Sequence, residues 1–379
     1  MIQRIYLDNN ATTELDPRVR KVIEEELASP PSNPSSIHFF GQEARKRLSK
    51  ARQTIADFFQ VKPSELIFTS GGTEALNMLL RGFFAENFKG HLITSDIEHS
   101  SVYQTVKALE KCGVRVTYLS TGTKGYVSPE DVSQAVSHDT RLVILGAVNS
   151  ETGVKNPIAE IATLCATRTL PFLVDGVALL GKEPFTIPQG VSAMAFSAHK
   201  FHGPKGIGFA FVRKSFPYRS LLTGGDQEYA KRAGTENLPG IVGLAKAIEL
   251  LSEELPSAET RMKTLRDHFE KSLRAHFPDL IVHGNDSPRV GNTSCLAFPG
   301  IDGETLLLHL DMQGVMASHG SACAAGALEP SRVLLNMGTP PALARSTLRF
   351  SLSRFTTQEE IDRAMEILSQ IIKTARPSC

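Results

Sequence analysis

The chain is expected to fold as an α/β protein, with a large part on a mostly parallel seven-stranded sheet and a smaller α+β part. Three observations carry this. From Leu66 to Val212, seven short apolar runs alternate with stretches of helical spacing. The runs are apolar throughout rather than every second residue, as in strands covered by helices on both faces. Past Leu238 the alternation gives way to long helical stretches and a few short strands. With 379 residues there is material for two cores. The boundary is placed near Pro256: 12–256 form the large domain, and 1–11 with 257–379 the small one.

In order, Ile5–Leu7 reads as a short strand and Asp16-Pro17 as the start of a helix to about Leu27. Ser29–Ser36 is too rich in Pro, Ser and Asn for regular structure. Ala44, Leu48, Ala51, Ile55 and Phe58 mark the apolar face of a helix over 38–59. Its other face, with Arg45, Lys46, Arg47, Lys50 and Arg52, is expected to be solvated. Strands follow at 66–69, 92–94, 114–119, 142–148, 171–174, 191–196 and 207–212, with helices at 73–84, 100–111, 129–136 and 158–168 between them. A helix over 241–255 is expected to stop at Pro256, and a charged one to run over 259–276. Short strands at 280–282, 294–298 and 347–351, a helix at 304–312 and a last helix at 357–375 complete the chain.

A formal net charge of +1 argues against nucleic acid or an anionic membrane as the main partner. Neither a secretory leader nor a bilayer-length apolar run is read, so the expected location is cytoplasmic. The five cysteines form no CxxC, and neither a zinc site nor a disulfide framework is indicated.

Chemistry concentrates in a few stretches. Lys200 sits in Ser197-Ala198-His199-Lys200-Phe201-His202-Gly203-Pro204, a tight turn between two apolar runs. A poorly hydrated amine favours its neutral form and can form a Schiff base with an aldehyde such as pyridoxal 5′-phosphate (PLP); a solvated turn lysine is the plainer alternative. Gly71-Gly72-Thr73 after a strand points the free N–H groups of a helix start at one spot, which suits a phosphate, although such turns are common. Asp175 ends an apolar run, where open sheets bind ligands but where capping aspartates also occur. His99 is either a group that stacks on a ring and moves protons or a loop histidine, with Ser100 as the helix cap. Cys323 lies among small residues over 318–327, which offer little packing and predict a mobile, accessible thiol. Cys165 and Cys295, in apolar surroundings, fit structural roles better.

Taken together, Tyr6–Thr13, Asn33–His38, Thr69–Asn77, Glu98-His99, Val174-Asp175, Ser197–Gly206, Arg232–Asn237, Gly320–Cys323, Leu328–Ser331 and Leu348–Leu352 resemble one family nearly end to end. It is the PLP-dependent cysteine desulfurases of the NifS/IscS type, which have the fold-type I PLP-transferase architecture. The resemblance implies that Lys200 forms the Schiff base with PLP and moves the substrate Cα proton. Asp175 would pair with the pyridine nitrogen, and His99 would stack on the ring and assist proton transfer. Gly72, Thr73, Ser150, Ser197 and His199 would line the cofactor site. Thr235 would reach the phosphate of the other subunit's cofactor, which implies a homodimer. Asn33 and Arg349 would hold the carboxylate of L-cysteine. Cys323, in a mobile loop at about 318–331, would take the sulfur as a persulfide and leave alanine. Sulfur would pass to an iron–sulfur scaffold or other acceptor protein, with Cys323 able to ligate a cluster transiently and no intrinsic metal.

Two positions depart from the family pattern. Ser150 stands where an Asn is usual, and Ala178 where a Gln is usual. Both usual amides lie near the PLP ring in the family. A selenocysteine lyase or other class V PLP enzyme, and a degenerate PLP-binding paralogue that mainly docks a scaffold, remain as alternatives.

Overall fold

A computed structural model describes residues 4–320 and 330–375. Ile5–Tyr6 (β1) leads to helices Pro17–Leu27 (α1) and Phe39–Phe59 (α2). The large sheet then unfolds as Leu66–Thr69 (β2), Gly72–Phe84 (α3), His91–Ser95 (β3), Ser100–Lys111 (α4) and Arg115–Leu119 (β4). It continues with Pro129–Ala135 (α5), Thr140–Gly146 (β5), Ile158–Thr167 (α6), Phe172–Asp175 (β6), Ala193–Ser197 (β7) and Gly208–Val212 (β8). A short turn of helix, Gln227–Ala230 (α7), precedes the long Leu238–His276 (α8). Beyond it come Ile281–Val282 (β9), Thr293–Ala297 (β10), Gly303–Met312 (α9), Val315–Met316 (β11), Arg332–Asn336 (α10), Pro341–Arg345 (α11), Thr347–Ser351 (β12) and Gln358–Ala375 (α12).

The seven strands lie in the order β2-β8-β7-β6-β5-β3-β4. The pairs from β7 through to β4 are parallel, and only β8 runs against its two neighbours. Strands β2, β7, β6, β5 and β3 therefore all end at one edge of the sheet. Two apolar clusters cover its faces. One includes Phe172, Phe196, Phe209 and Ile248, the other Leu79, Leu92, Ile144 and Ala210. A separate cluster joins Ile5 and Leu7 to Leu265, Phe269, Phe350 and Leu368, around the sheet β12-β10-β9.

Two expectations are corrected. The helix expected to stop at Pro256 runs through it to His276. Proline removes one N–H from the ladder, but Leu250, Leu251 and Leu255 before it and Met262, Leu265 and Phe269 after it are buried in phase. Burial on both sides outweighs the single lost bond, and the helix spans both cores. Arg52, expected in solvent, is buried. Its guanidinium grips Glu228 at 2.5 and 3.0 Å, donates to the Leu66 carbonyl at 2.7 Å and lies 4.5 Å from the centre of the Phe68 ring. Glu228, at φ 48°, also accepts from the Phe68 N–H at 2.8 Å. The pair thus satisfies edge strand β2 and fastens the 226–230 loop to it.

Removing one partner leaves the other charge buried and alone. Arg52→Ala should lower unfolding stability by about 3–5 kcal/mol, read as a shift of the urea midpoint; a loss under about 1 kcal/mol would show that the pair is solvated.

Candidate active site

The edge where the strands end carries nearly all the chemistry-bearing side chains. Gly72 and Thr73 follow β2, Ser197 closes β7 with His199 and Lys200 after it, and Asp175 closes β6. Ser150 follows β5, and Glu98 and His99 follow β3. With Asn10, Ala178, Lys182, Arg332 and Arg349 they line a cavity of about 220 Å³. Strands apolar on both faces leave polar side chains only this edge.

Each wall has an identifiable support. Gly72 begins α3 against Val177; a Cβ there would meet Val177 Cγ2 at 2.5 Å. The absent side chain lets the free N–H groups of the helix start approach the loop after Asp175. At Gly208 a Cβ would fall 2.5 Å from the Phe196 carbonyl and 2.7 Å from Gly71 Cα, so this glycine lets β8 begin close beneath the site. Lys200 ends a single 3₁₀ turn, Ala198–Lys200, between β7 and β8. Its Nζ donates to the carbonyls of Asn10 at 2.5 Å and Ala11 at 2.9 Å, so the N-terminal segment roofs the lysine.

Asp175 is buried and accepts from the Val177 N–H at 3.0 Å. Burial pushes its carboxyl up, while His99 and Lys200 pull it back. Glu98, fully buried nearby, is pushed up to about 7 by burial; it accepts from Ser95 Oγ at 2.6 Å and from the Gly146 N–H at 2.9 Å. Burial also holds His199 down at about 4, with Lys200 adding to it. Arg349 is buried in β12; Nη2 pairs with Asp8 at 2.7 Å and Nη1 donates to the Ser150 carbonyl at 3.1 Å. Its buried Nε has no partner among the described residues.

His99 itself caps α4, its Nδ1 accepting from the Ser101 N–H at 3.1 Å, so the cap expected at Ser100 falls one residue earlier. Asn33 and Thr235 are exposed and do not line the cavity of their own chain; Asn33 Oδ1 accepts from the Ser35 N–H at 2.9 Å. Cys323 lies outside the described residues. Cys165 and Cys295 are buried, and burial pushes the first thiol up to about 12 and the second higher still. Among the described residues no cluster of His, Cys, Asp or Glu is placed to hold a metal, and no helix is long and apolar enough to cross a membrane.

Several lining residues were not singled out from the sequence. Arg332 stacks 4.1 Å from the centre of the Tyr103 ring and donates to the carbonyls of Asp96 and Glu98, bracing the loop that carries His99. Glu151, buried and pushed up, accepts from Ser331 Oγ at 2.5 Å. Lys182 gives a weak sequence signal, a lysine one glycine past the apolar Leu179-Leu180.

Fold and site together define an α/β enzyme with a lysine at the carboxyl edge of a doubly covered sheet. The class V aminotransferase family matches residues 5–364. A cysteine desulfurase IscS of Dictyoglomus turgidum is 40% identical over 379 residues, which is 99% of this chain and 96% of that protein. A solved NifS-like protein superposes with a TM-score of 0.91 at 35% identity, covering 98% of this chain and all of the other. A structure titled SspA in complex with cysteine superposes at 0.82 with 30% identity, over 93% of this chain and all of that one. The chain belongs to the class V aminotransferase family.

The residues present fit PLP. Asp175 is a buried carboxylate that accepts from the Val177 N–H, and a pyridinium nitrogen would give it a charged partner. The start of α3 offers free N–H groups for the phosphate. Ser150 and Ala178, the two departures, both face the cavity. Ala178 presents a methyl to the cavity; by the family resemblance, a Gln there would donate to the phenolate oxygen of bound PLP. Ala178→Gln should lower the midpoint pH of the visible band of the PLP-loaded protein by about one to two units. An unchanged midpoint in a folded, loaded variant would place residue 178 away from that oxygen.

Proposed function

We propose that the protein is a PLP-dependent cysteine desulfurase that converts L-cysteine to L-alanine and leaves a persulfide on Cys323. The observation that supports this most is the set of side chains around Lys200: a buried carboxylate, a histidine and an oriented arginine, each carried by a different element of the family fold.

Asp175 would hold the protonated ring nitrogen, Gly72, Thr73, Ser197 and His199 the phosphate and ring surroundings, and Lys200 Nζ the aldehyde carbon. When bound, PLP supplies an electron sink for negative charge at the substrate Cα. Arg349 receives the substrate carboxylate. Asp8 and the Ser150 carbonyl fix the plane of its guanidinium, so little side-chain freedom is lost on binding. Lys200 Nζ moves the Cα proton, and His99 stands by for proton transfer. The Cys323 thiolate attacks the substrate sulfur. The Cβ–S bond breaks, an S–S bond forms on Cys323, and Cβ gains the proton that completes alanine. No external oxidant or reductant is required.

The enzyme acts as a homodimer, with Thr235 reaching the partner's cofactor and Asn33 assisting at a substrate carboxylate. Their exposure away from their own cavity, and the exposed Ile37, Phe39 and Tyr229 near them in sequence, support that arrangement. A cytoplasmic setting, where thiols stay reduced, and an iron–sulfur scaffold or other protein acceptor for the persulfide complete the reading.

The test is incubation with L-cysteine and a thiol reductant, with alanine and sulfide measured together. The two products should appear in equal amounts, and Cys323→Ala should reduce both by roughly 100-fold or more. Borohydride should fix a pyridoxyl group on Lys200 in parent and variant alike. Sulfide near the parent rate in Cys323→Ala, or the label on Lys205, would defeat the reading.

A further inference from the structure

Lys182 is 3% exposed, yet it lies on the cavity wall beside the Schiff-base lysine. It forms no ion pair among the described residues. Its one side-chain hydrogen bond there is from Nζ to the main-chain carbonyl of Lys200, at 3.0 Å. Gly181, at φ 83°, brings it in: a Cβ at that position would strike Phe201 Cβ at 2.5 Å. The 181–182 backbone is thereby pressed onto the turn that carries Lys200. A buried lysine without a carboxylate is costly, and a packed apolar residue would serve a purely structural role at less cost.

The charged and titratable groups that face it are Lys200, His199 and His202 of the turn and Arg349 of β12. Burial pushes the Lys182 amine down to about 7, with Lys200 and then Arg349 adding repulsion. His199 and His202 are held at about 4 and about 3, in both cases chiefly by burial, so they carry no charge near neutrality. The repulsion between two nearby cations is mutual. A neighbouring cation is an established way to keep a reactive lysine uncharged.

We propose that Lys182 is a second lysine of the active site, a positioning residue that holds the Lys200 turn by its carbonyl and whose ammonium opposes positive charge on the Lys200 Schiff-base nitrogen. The proposal rests on Lys200 as the PLP-bearing residue. It makes the ionisation of Lys182 a control on how readily that nitrogen takes up a proton.

The experiment is a pH titration of the visible band in PLP-loaded parent, Lys182→Met, Lys182→Gln and Lys182→Arg proteins, with urea unfolding of each alongside. Met and Gln remove the cation, and the midpoint should rise by about one pH unit. Arg makes the cation permanent, and the midpoint should fall below the parent's. A structural role alone would alter unfolding without ordering the midpoints by charge. Gln can still donate to the Lys200 carbonyl, so it decides the matter if the Met variant fails to fold. Equal midpoints in the parent, Gln and Arg proteins, or a rise with Arg, would overturn the proposal. A parent protein whose borohydride label is not on Lys200 would instead overturn the functional reading, which is a separate result.

Discussion

The turn after β7 closes on itself only through Ala198, whose carbonyl takes the Phe201 and Gly203 N–H groups, and its His199, Lys200 and His202 carbonyls find partners elsewhere in the chain. Thr13 takes the His199 carbonyl with both its N–H, at 2.9 Å, and its hydroxyl, at 3.0 Å. The same hydroxyl oxygen accepts from the His202 N–H at 2.7 Å, and the Asp16 N–H reaches the His202 carbonyl at 3.1 Å. Lys182 covers the Lys200 carbonyl. A buried turn of this kind would be unstable with those groups unpaired, so the lysine's position depends on the N-terminal segment folding back over it.

That segment is in turn held by the C-terminal part of the chain. The Asn10 N–H donates to Ser351 Oγ at 2.8 Å, and its side-chain amide to Thr293 Oγ1 at 2.9 Å. Asn292 donates to Asn10 Oδ1 at 3.0 Å. Asp8, two residues earlier, orients Arg349 on the same strand as Ser351. One short stretch therefore links the lysine to the arginine across the two cores. Lys200 and Arg349 share a frame, although Asn10 and Ser351, which join it, are 341 positions apart.

Electrostatics in and around the cavity follow from burial. Asp175 and Glu98 are pushed up, and Lys182, His199 and His202 are pushed down. Each shift favours the neutral form. Arg349 is set apart by its fixed carboxylate neighbour Asp8. Two guanidiniums on the cavity wall, Arg349 and Arg332, are thus held by fixed partners in surroundings where charge is otherwise kept low, and a polar contact there gains strength from the exclusion of water.

The sequence alone determined the sheet, because strands buried on both faces must be apolar throughout and the helices between them must alternate polar and apolar sides. It also marked Lys200, Asp175 and His99, since reactive or charged residues that follow apolar runs stand out against their neighbours, whereas Arg349, inside a strand, stood out only through the family resemblance. It did not determine the fate of charges on helices. Arg45 and Arg52 look alike in the sequence, and only Glu228, 176 residues away, takes Arg52 into the interior. Nor did it decide Pro256, where one missing hydrogen bond is outweighed by packing on both sides. Lys182 was hidden for the same reason: a lysine's charge is local, but whether water reaches it is set by residues brought against it from elsewhere in the fold.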